Sequence, residues 1–186
     1  ALKRYTYFVR RHPAGPLTGA LYLRMAEAHA ALGRPRQAAA AYEIYLARYA
    51  KGTDARRVRL ALARVYAGSG ETAKARALYQ SVLAADARPD QAGAAPLDPP
   101  TAKVRLALAD LEYGAKRYAA AAKAYTAAAA GGLRGDDARW ARLRAGMADL
   151  ALHRNAPAKA TLTALAEQAD TGLIPAVARE LAAGVN

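Results

Sequence analysis

The chain contains one passage twice. Leu60 to Gln80 reads LALARVYAGSGETAKARALYQ, Leu106 to Thr126 reads LALADLEYGAKRYAAAAKAYT, and the two align without a gap. Both open on LALA and both carry a tyrosine in the same slot, Tyr79 and Tyr125. Tyr5, Tyr42 and Tyr79 stand 37 residues apart in turn, as do Gly33 and Gly70, whereas Tyr79 to Tyr125 is 46. A period of this length marks a supersecondary unit that cannot bury its apolar face alone and must stack on copies of itself.

Alanine, leucine and arginine dominate the chain, and alanine loses no side-chain entropy in a helix. The apolar spacing of Tyr42, Tyr45, Leu46 and Tyr49 is helical. Helices are expected over 2–12, 18–32, 35–50, 54–68, 71–86, 101–114, 117–130, 136–154, 157–169 and 173–184. Four breaks divide them into hairpins. Gly33-Arg34-Pro35 supplies a left-handed stop and then a proline for the next opening turn. Gly68-Ser69-Gly70-Glu71 places an acid at a helix start, and Gly114-Ala115-Lys116-Arg117 and Asn155-Ala156-Pro157 supply the other two breaks. The proline-rich stretch 86–100 is read as one long loop, with Asp98 or Thr101 capping the helix after it.

These residues resemble the tetratricopeptide repeat family, whose unit is a 34-residue helical hairpin. The family has small residues at places 8 and 20 and an aromatic at place 24. Here place 8 falls at Ala26, Ala63, Ala109 and Ala148, and place 20 at Ala38, Ala75, Ala121 and Ala160. Place 24 falls at Tyr42, Tyr79, Tyr125 and Ala164. Place 4, apolar in the family, is Tyr22 and then Arg59, Arg105 and Arg144; place 15, a glycine in the family, is Lys116 and Asn155 in the last two copies. The resemblance implies an all-α, right-handed α-solenoid in which small residues let paired helices nest and each tyrosine wedges one pair to the next. It implies a single array over 1–186, with repeats at about 19–50, 56–87, 102–133 and 137–170 and a capping helix at 173–184. The first helix, 2–12, would then be the second half of a hairpin whose first half lies upstream of a trimmed start.

The resemblance also places the binding residues. The first helix of each hairpin would face a groove lined by Leu23, Arg24, Glu27, Arg57, Leu60, Arg64, Lys103, Leu106, Asp110, Tyr113, Arg142 and Asp149. That lining suits an extended or helical peptide, with leucines for contact area and arginines for carboxylates. The expected function is a non-enzymatic scaffold that binds a protein segment, acidic in character. The formal net charge of +13 leaves nucleic acid or an anionic surface as the alternative. The phrasing around ALYLRMAEAHAALGR is similar to bacterial envelope lipoproteins and periplasmic scaffolds, so the cell envelope is the expected compartment, with the cytoplasm as its rival.

Catalytic chemistry is not written here. Cysteine is absent, no two of His12, His29 and His153 share an i, i+4 spacing, and Gly68-Ser69-Gly70 lacks the wider nucleophile-turn motif. Gly131 to Gly135 is followed by no phosphate-loop Lys-Ser/Thr. No enzyme activity, cofactor or metal is expected, and no uncharged run approaches the ~18 residues of a membrane span.

Overall fold

The computed structural model describes all residues except 1, 13–16, 88–99, 168–171 and 186. The expected loop 86–100 therefore lies almost wholly outside the described residues. The chain divides into two compact units, residues 1–87 and 88–186. Among the described residues there are ten α-helices and no strand. The first unit holds α1 (Leu2–Arg11), α2 (Thr18–Ala31), α3 (Pro35–Tyr49), α4 (Ala55–Gly68) and α5 (Thr72–Asp86). The second holds α6 (Thr101–Gly114), α7 (Tyr118–Ala130), α8 (Gly135–Ala151), α9 (Asn155–Ala166) and α10 (Leu173–Ala183). Pro100, rather than Asp98 or Thr101, is the N-cap of α6, because helical geometry already begins at the threonine.

Four hairpins, α2–α3, α4–α5, α6–α7 and α8–α9, stack on their neighbours within each unit. Each closes with one turn chemistry. The residue after the turn donates its backbone N–H to a carbonyl five residues back: Arg34 to His29, Glu71 to Tyr66, Arg117 to Glu112 and Arg154 to Asp149, all at 2.9 Å. The residue before it, in the left-handed region, is Gly33, Gly70, Lys116 or His153, with φ of 65, 80, 58 and 56°. This is the paired closure that satisfies the orphan carbonyls of a helix end. Only glycine adopts that φ freely, so Lys116 and His153 hold their turns at a cost of about 1–2 kcal/mol each.

The turns correct the fourth repeat. Its left-handed residue is His153, not Asn155, and Asn155-Ala156-Pro157 forms the first turn of α9 instead. Proline is harmless there, because that N–H has no helical partner anyway. The whole fourth copy therefore moves two residues towards the N-terminus. Place 8 is Gly146 rather than Ala148, place 20 is Ala158 rather than Ala160, and place 24 is Leu162 rather than Ala164. Ala160 and Ala164 are exposed, whereas Ala158 and Leu162 have no exposed surface. The 37-residue period then holds across Tyr125 and Leu162, and the start of α6 repeats the start of α2 at a shift of 83 residues.

The core follows from these places. Ala26, Ala38, Ala63, Ala75, Ala109, Ala121 and Ala158 are fully buried where the two helices of each hairpin cross. Behind each crossing sits the wedge residue, Tyr42, Tyr79, Tyr125 or Leu162, all buried. In the fourth hairpin even a methyl group is too much: a Cβ on Gly146 would stand 2.9 Å from Cδ2 and Cγ of Leu162. The arginines at place 4 are helix-end ligands rather than core residues. Arg59 donates from Nη2 to the carbonyl of Ala50 at the end of α3 (2.9 Å), and Arg105 lies so close over the end of α7 that a Cβ on Gly131 would meet its Nη1 at 2.7 Å. A cation at a helix C-terminus is favourable there. An Arg56–Asp86 pair, 2.9 Å at both contacts, clamps the ends of α4 and α5. At the end of the chain, α10 covers α9, with Ala178 and Ala182 against Leu143, Leu162 and Leu165, and Lys159 donates to the carbonyl of Val185 (3.1 Å).

Gly146→Ala should therefore lose about 1 kcal/mol of stability despite alanine's higher helix propensity. Leu162→Ala alone should cost about 2–5 kcal/mol. In that background Gly146→Ala should become stabilising, and urea unfolding of the four proteins measures the reversal. Lys116→Gly should raise stability by about 1 kcal/mol by releasing the left-handed strain.

Candidate functional site

Within each unit the first helices of successive hairpins, α2 with α4 and α6 with α8, bring their polar faces together. In the first unit this face carries a chain of ion pairs. Arg24 Nη1 lies 3.3 Å from Glu27 Oε2, Glu27 Oε1 lies 3.4 Å from Arg57 Nη1, and Arg57 Nη2 lies 3.2 Å from Asp54 Oδ1. These groups surround a cleft of about 330 Å³ floored by Gly19, Leu23, Tyr45 and Tyr49. Gly19 keeps the floor low, since a Cβ there would press on the Tyr49 ring at 3.2 Å. Burial, and after it the neighbouring Glu27 carboxylate, raises the Tyr42 phenol above its ordinary pKa. Burial raises Tyr45 as well, with Asp54 adding to it. The network is solvent-exposed, so it sets charge pattern more than it stabilises the fold.

In the second unit the same face is aromatic. The Arg144 guanidinium sits 5.0 Å from the Tyr113 ring and 4.6 Å from the Trp140 ring, so one cation joins α6 to α8. Tyr113 in turn meets the Tyr118 and Tyr125 rings edge-on. Trp140 stays 38% exposed, and Nε of Arg144 is buried without a hydrogen-bond partner. The Tyr125 hydroxyl donates to Asp110 Oδ1 at 2.6 Å. Burial first and that hydrogen bond second push the phenol's pKa well up. Lys103 completes the face with a 3.1 Å contact to Asp137.

The twelve expected groove residues separate into three groups. Arg24, Glu27, Arg57, Arg64, Lys103, Asp110 and Tyr113 lie on these faces, exposed or half-buried. Leu60 is 2% exposed and Leu106 packs against the core around Tyr125, so these two of the leucine row hold helices together; Leu23, 6% exposed, also reaches the floor of the first unit's cleft. Leu143 belongs to that row in the corrected frame and is buried too. Arg142 and Asp149 leave the face altogether. Arg142 lines a cleft on the second-helix side, and Asp149 faces Arg154 across the hairpin turn at 3.8 Å. The slip of two residues displaced them, and the same slip hid Trp140 and Arg144. The step of 37 residues from Tyr125 to Leu162 was the signal that would have found both.

His29 is half-buried as expected, but its Nδ1 has no hydrogen-bond partner. Among the described residues no three of His, Cys, Asp and Glu gather as a metal site would require, and no helix is long and apolar enough to cross a membrane.

No family model matches the sequence, and no curated protein does. Solved structures do match. BtubC (BKLC) from P. vanneervenii aligns over 98% of this chain and 73% of its own at 18% identity, with a TM-score of 0.67. A Podosopora anserina putative kinesin light chain with nearly identical TPR-like repeats aligns over 88% and 83% at 17% identity, TM-score 0.64. A tetratricopeptide repeat protein from Parabacteroides merdae aligns over 98% and 77% at 16% identity, TM-score 0.62. At this identity the likeness establishes the fold: an all-α solenoid class of tetratricopeptide-like hairpins.

The Tyr125 phenol makes a test of the second face. Its folded-state pKa is raised, so the stability it carries is complete below about pH 10, the ordinary phenol value, and is lost as pH rises above it. Urea midpoints should fall between about pH 10 and 11.5, and the fall should be smaller in Tyr125→Phe. Absorbance at 295 nm should show the Tyr125 phenol ionising only above the ordinary phenol range.

Proposed function

On a tetratricopeptide-type fold with two such faces, we propose that the chain is a protein-interaction scaffold that holds a peptide segment along the first helices of its hairpins. Proteins of this fold generally mediate protein–protein contact, which supports the broad reading. The observation that carries the finer one is the open cleft between α2 and α4. Its rim is charged, its floor is two tyrosines, and both helices contribute side chains to it. An extended segment there would meet backbone-height depressions at Gly19 and Ala20 and guanidinium groups at Arg24, Arg57 and Arg64. Tyrosine and arginine are the side chains that most often anchor protein interfaces.

The segment is acidic. Fifteen of the 28 Lys and Arg but only five of the 15 Asp and Glu lie in residues 1–87, which leaves that unit ten positive charges in excess. Arg64 forms no ion pair among the described residues, so it is available to a carboxylate on the ligand. The second unit offers Trp140 and the stacked Arg144 for an aromatic or carboxylate side chain. No catalytic role is assigned. The sequence likeness to envelope scaffolds adds the proposal of a bacterial envelope location, which fractionation of the expressing cell would test.

The test is an array of twelve-residue peptides followed by photo-crosslinking. Acidic peptides should be retained over basic ones, and benzoylphenylalanine at Ala20 should capture them while the same group at Gln80, on α5, should not. Arg24→Glu with Arg64→Glu should weaken binding at least about tenfold, and Trp140→Ala should weaken only peptides held by the second unit. Unchanged binding in the Arg24/Arg64 double variant overturns the proposal. Retention of duplex DNA or RNA in place of peptide, falling steeply with salt, would do so as well.

A further inference from the structure

The five exposed side chains of α1 all lie on one arc. At about 100° per residue, Arg10, Lys3, Tyr7, Arg11 and Arg4 follow one another around roughly a third of the helix. The opposite arc, Leu2, Tyr5, Phe8 and Val9, is buried or half-buried, and α1 packs on α2. Tyr7, 64% exposed, stands at the centre of the four cations, and Arg11 Nη1 donates to its hydroxyl at 3.3 Å. No acidic residue precedes Glu27 in the chain. Among the described residues none of these four cations forms an ion pair.

Two of the cations work against their own helix. Arg10 and Arg11 suit the last turn of α1, but Lys3 and Arg4 lie in its first turn, where the helix dipole disfavours a positive charge. Nor does the repeat call for them. One period on, in α3, the same places hold Ala40, Ala41, Ile44, Ala47 and Arg48, and the Arg48 guanidinium lies over the Tyr22 ring at 5.6 Å. In α5 those places are all neutral, and in α7 only Lys123 is charged. None of the α1 cations lines the cleft between α2 and α4, so the peptide face makes no use of them.

We infer that this face of α1 docks on an anionic lipid bilayer. The arc is the convex outside of one helix, about 12 Å from Lys3 to Arg11, and gives a peptide no groove to lie in. A plane of phosphate head groups meets all four cations at once. A tyrosine among them sits at head-group depth, its ring inward and its hydroxyl in water. A nucleic-acid backbone would need cations on the next helix along its path. Instead α3 presents Ile44, 39% exposed, at the place of Tyr7, and an apolar side chain there suits a bilayer interface.

The test is co-sedimentation of the whole chain with large phosphatidylcholine vesicles, with and without about 30 mol% phosphatidylglycerol. The chain should pellet with the anionic vesicles alone, and raising salt from about 0.05 to about 0.5 M should release it. Lys3→Gln with Arg4→Gln should weaken partitioning about tenfold or more. The thermal midpoint of that variant should be no lower than the parent's, since the first turn loses two misplaced cations. Tyr7→Ala should weaken partitioning severalfold. Lys123→Gln with Arg134→Gln takes the same charge from the second unit and should leave partitioning unchanged to within about twofold. Equal weakening by the two pairs, equal binding to neutral vesicles, or full binding by the Lys3/Arg4 variant overturns the site. Duplex DNA held more tightly than the vesicles, and lost in the same α1 variant, overturns the lipid assignment. That variant should still be captured by acidic peptides at Ala20, so failure here and failure of the scaffold reading are read in different assays.

Discussion

Everything in this chain depends on how closely two helices can approach at one point per hairpin. At Ala26–Ala38, Ala63–Ala75 and Ala109–Ala121 both partners are alanines with no exposed surface, and in the fourth hairpin one of them is Gly146 against Ala158. A larger side chain at any of these places would lift one backbone off the other. The tyrosine behind it would then lose its seat, and so would the next hairpin. Alanine-rich cores bury little area per residue, so the fold recovers it by bringing backbones near and filling the gap between pairs with one large ring. A buried tyrosine contributes about 150–250 Å² of burial, several times what an alanine can.

That arrangement explains why arginine is tolerated where the family has an apolar residue. With the crossing made by small groups and the gap filled by the wedge, place 4 need only cover the end of a neighbouring helix. Arg59 does so with its guanidinium on the Ala50 carbonyl. The arrangement also draws Leu60, Leu106 and Leu143 into the packing, where they supply the aliphatic area the alanines lack.

Eight of the ten helices were legible in the sequence to within a residue at each end, because glycine and proline mark the breaks and because the tyrosine spacing needs no knowledge of tertiary contacts; the two of the fourth hairpin, expected over 136–154 and 157–169, end three residues earlier, at Ala151 and Ala166. The first three copies of the frame were legible for the same reason. The fourth was not, and the cause is physical. In a chain where alanine occupies so many places, Ala148 and Ala160 satisfy a small-residue rule as well as Gly146 and Ala158 do. The glycine that would have fixed the turn is His153 held at positive φ. The wedge there is a leucine, which carries no aromatic signature. Register was therefore set by residues that look interchangeable on paper and differ only in which of them faces the neighbouring helix. The face that carries Trp140 and Arg144 was lost with it.

The wedge residues also connect the core to the surface that would meet a partner. Tyr125 is fully buried, yet its hydroxyl ends on Asp110, a residue of the exposed face, and Tyr42 is electrostatically coupled to Glu27 at the equivalent place. A carboxylate on that face therefore has two claims on it, the phenol beneath and any cation above. In the first unit Glu27 is further engaged by Arg24 and Arg57, so a ligand carboxylate arriving there competes with a protein carboxylate for the same guanidinium groups. Such exchange costs little, because exposed ion pairs are each worth under about 1 kcal/mol. It leaves Glu27 with fewer partners and Tyr42 closer to an unpaired negative charge. A ligand carboxylate on that face would thereby change the charge beside the buried Tyr42 phenol.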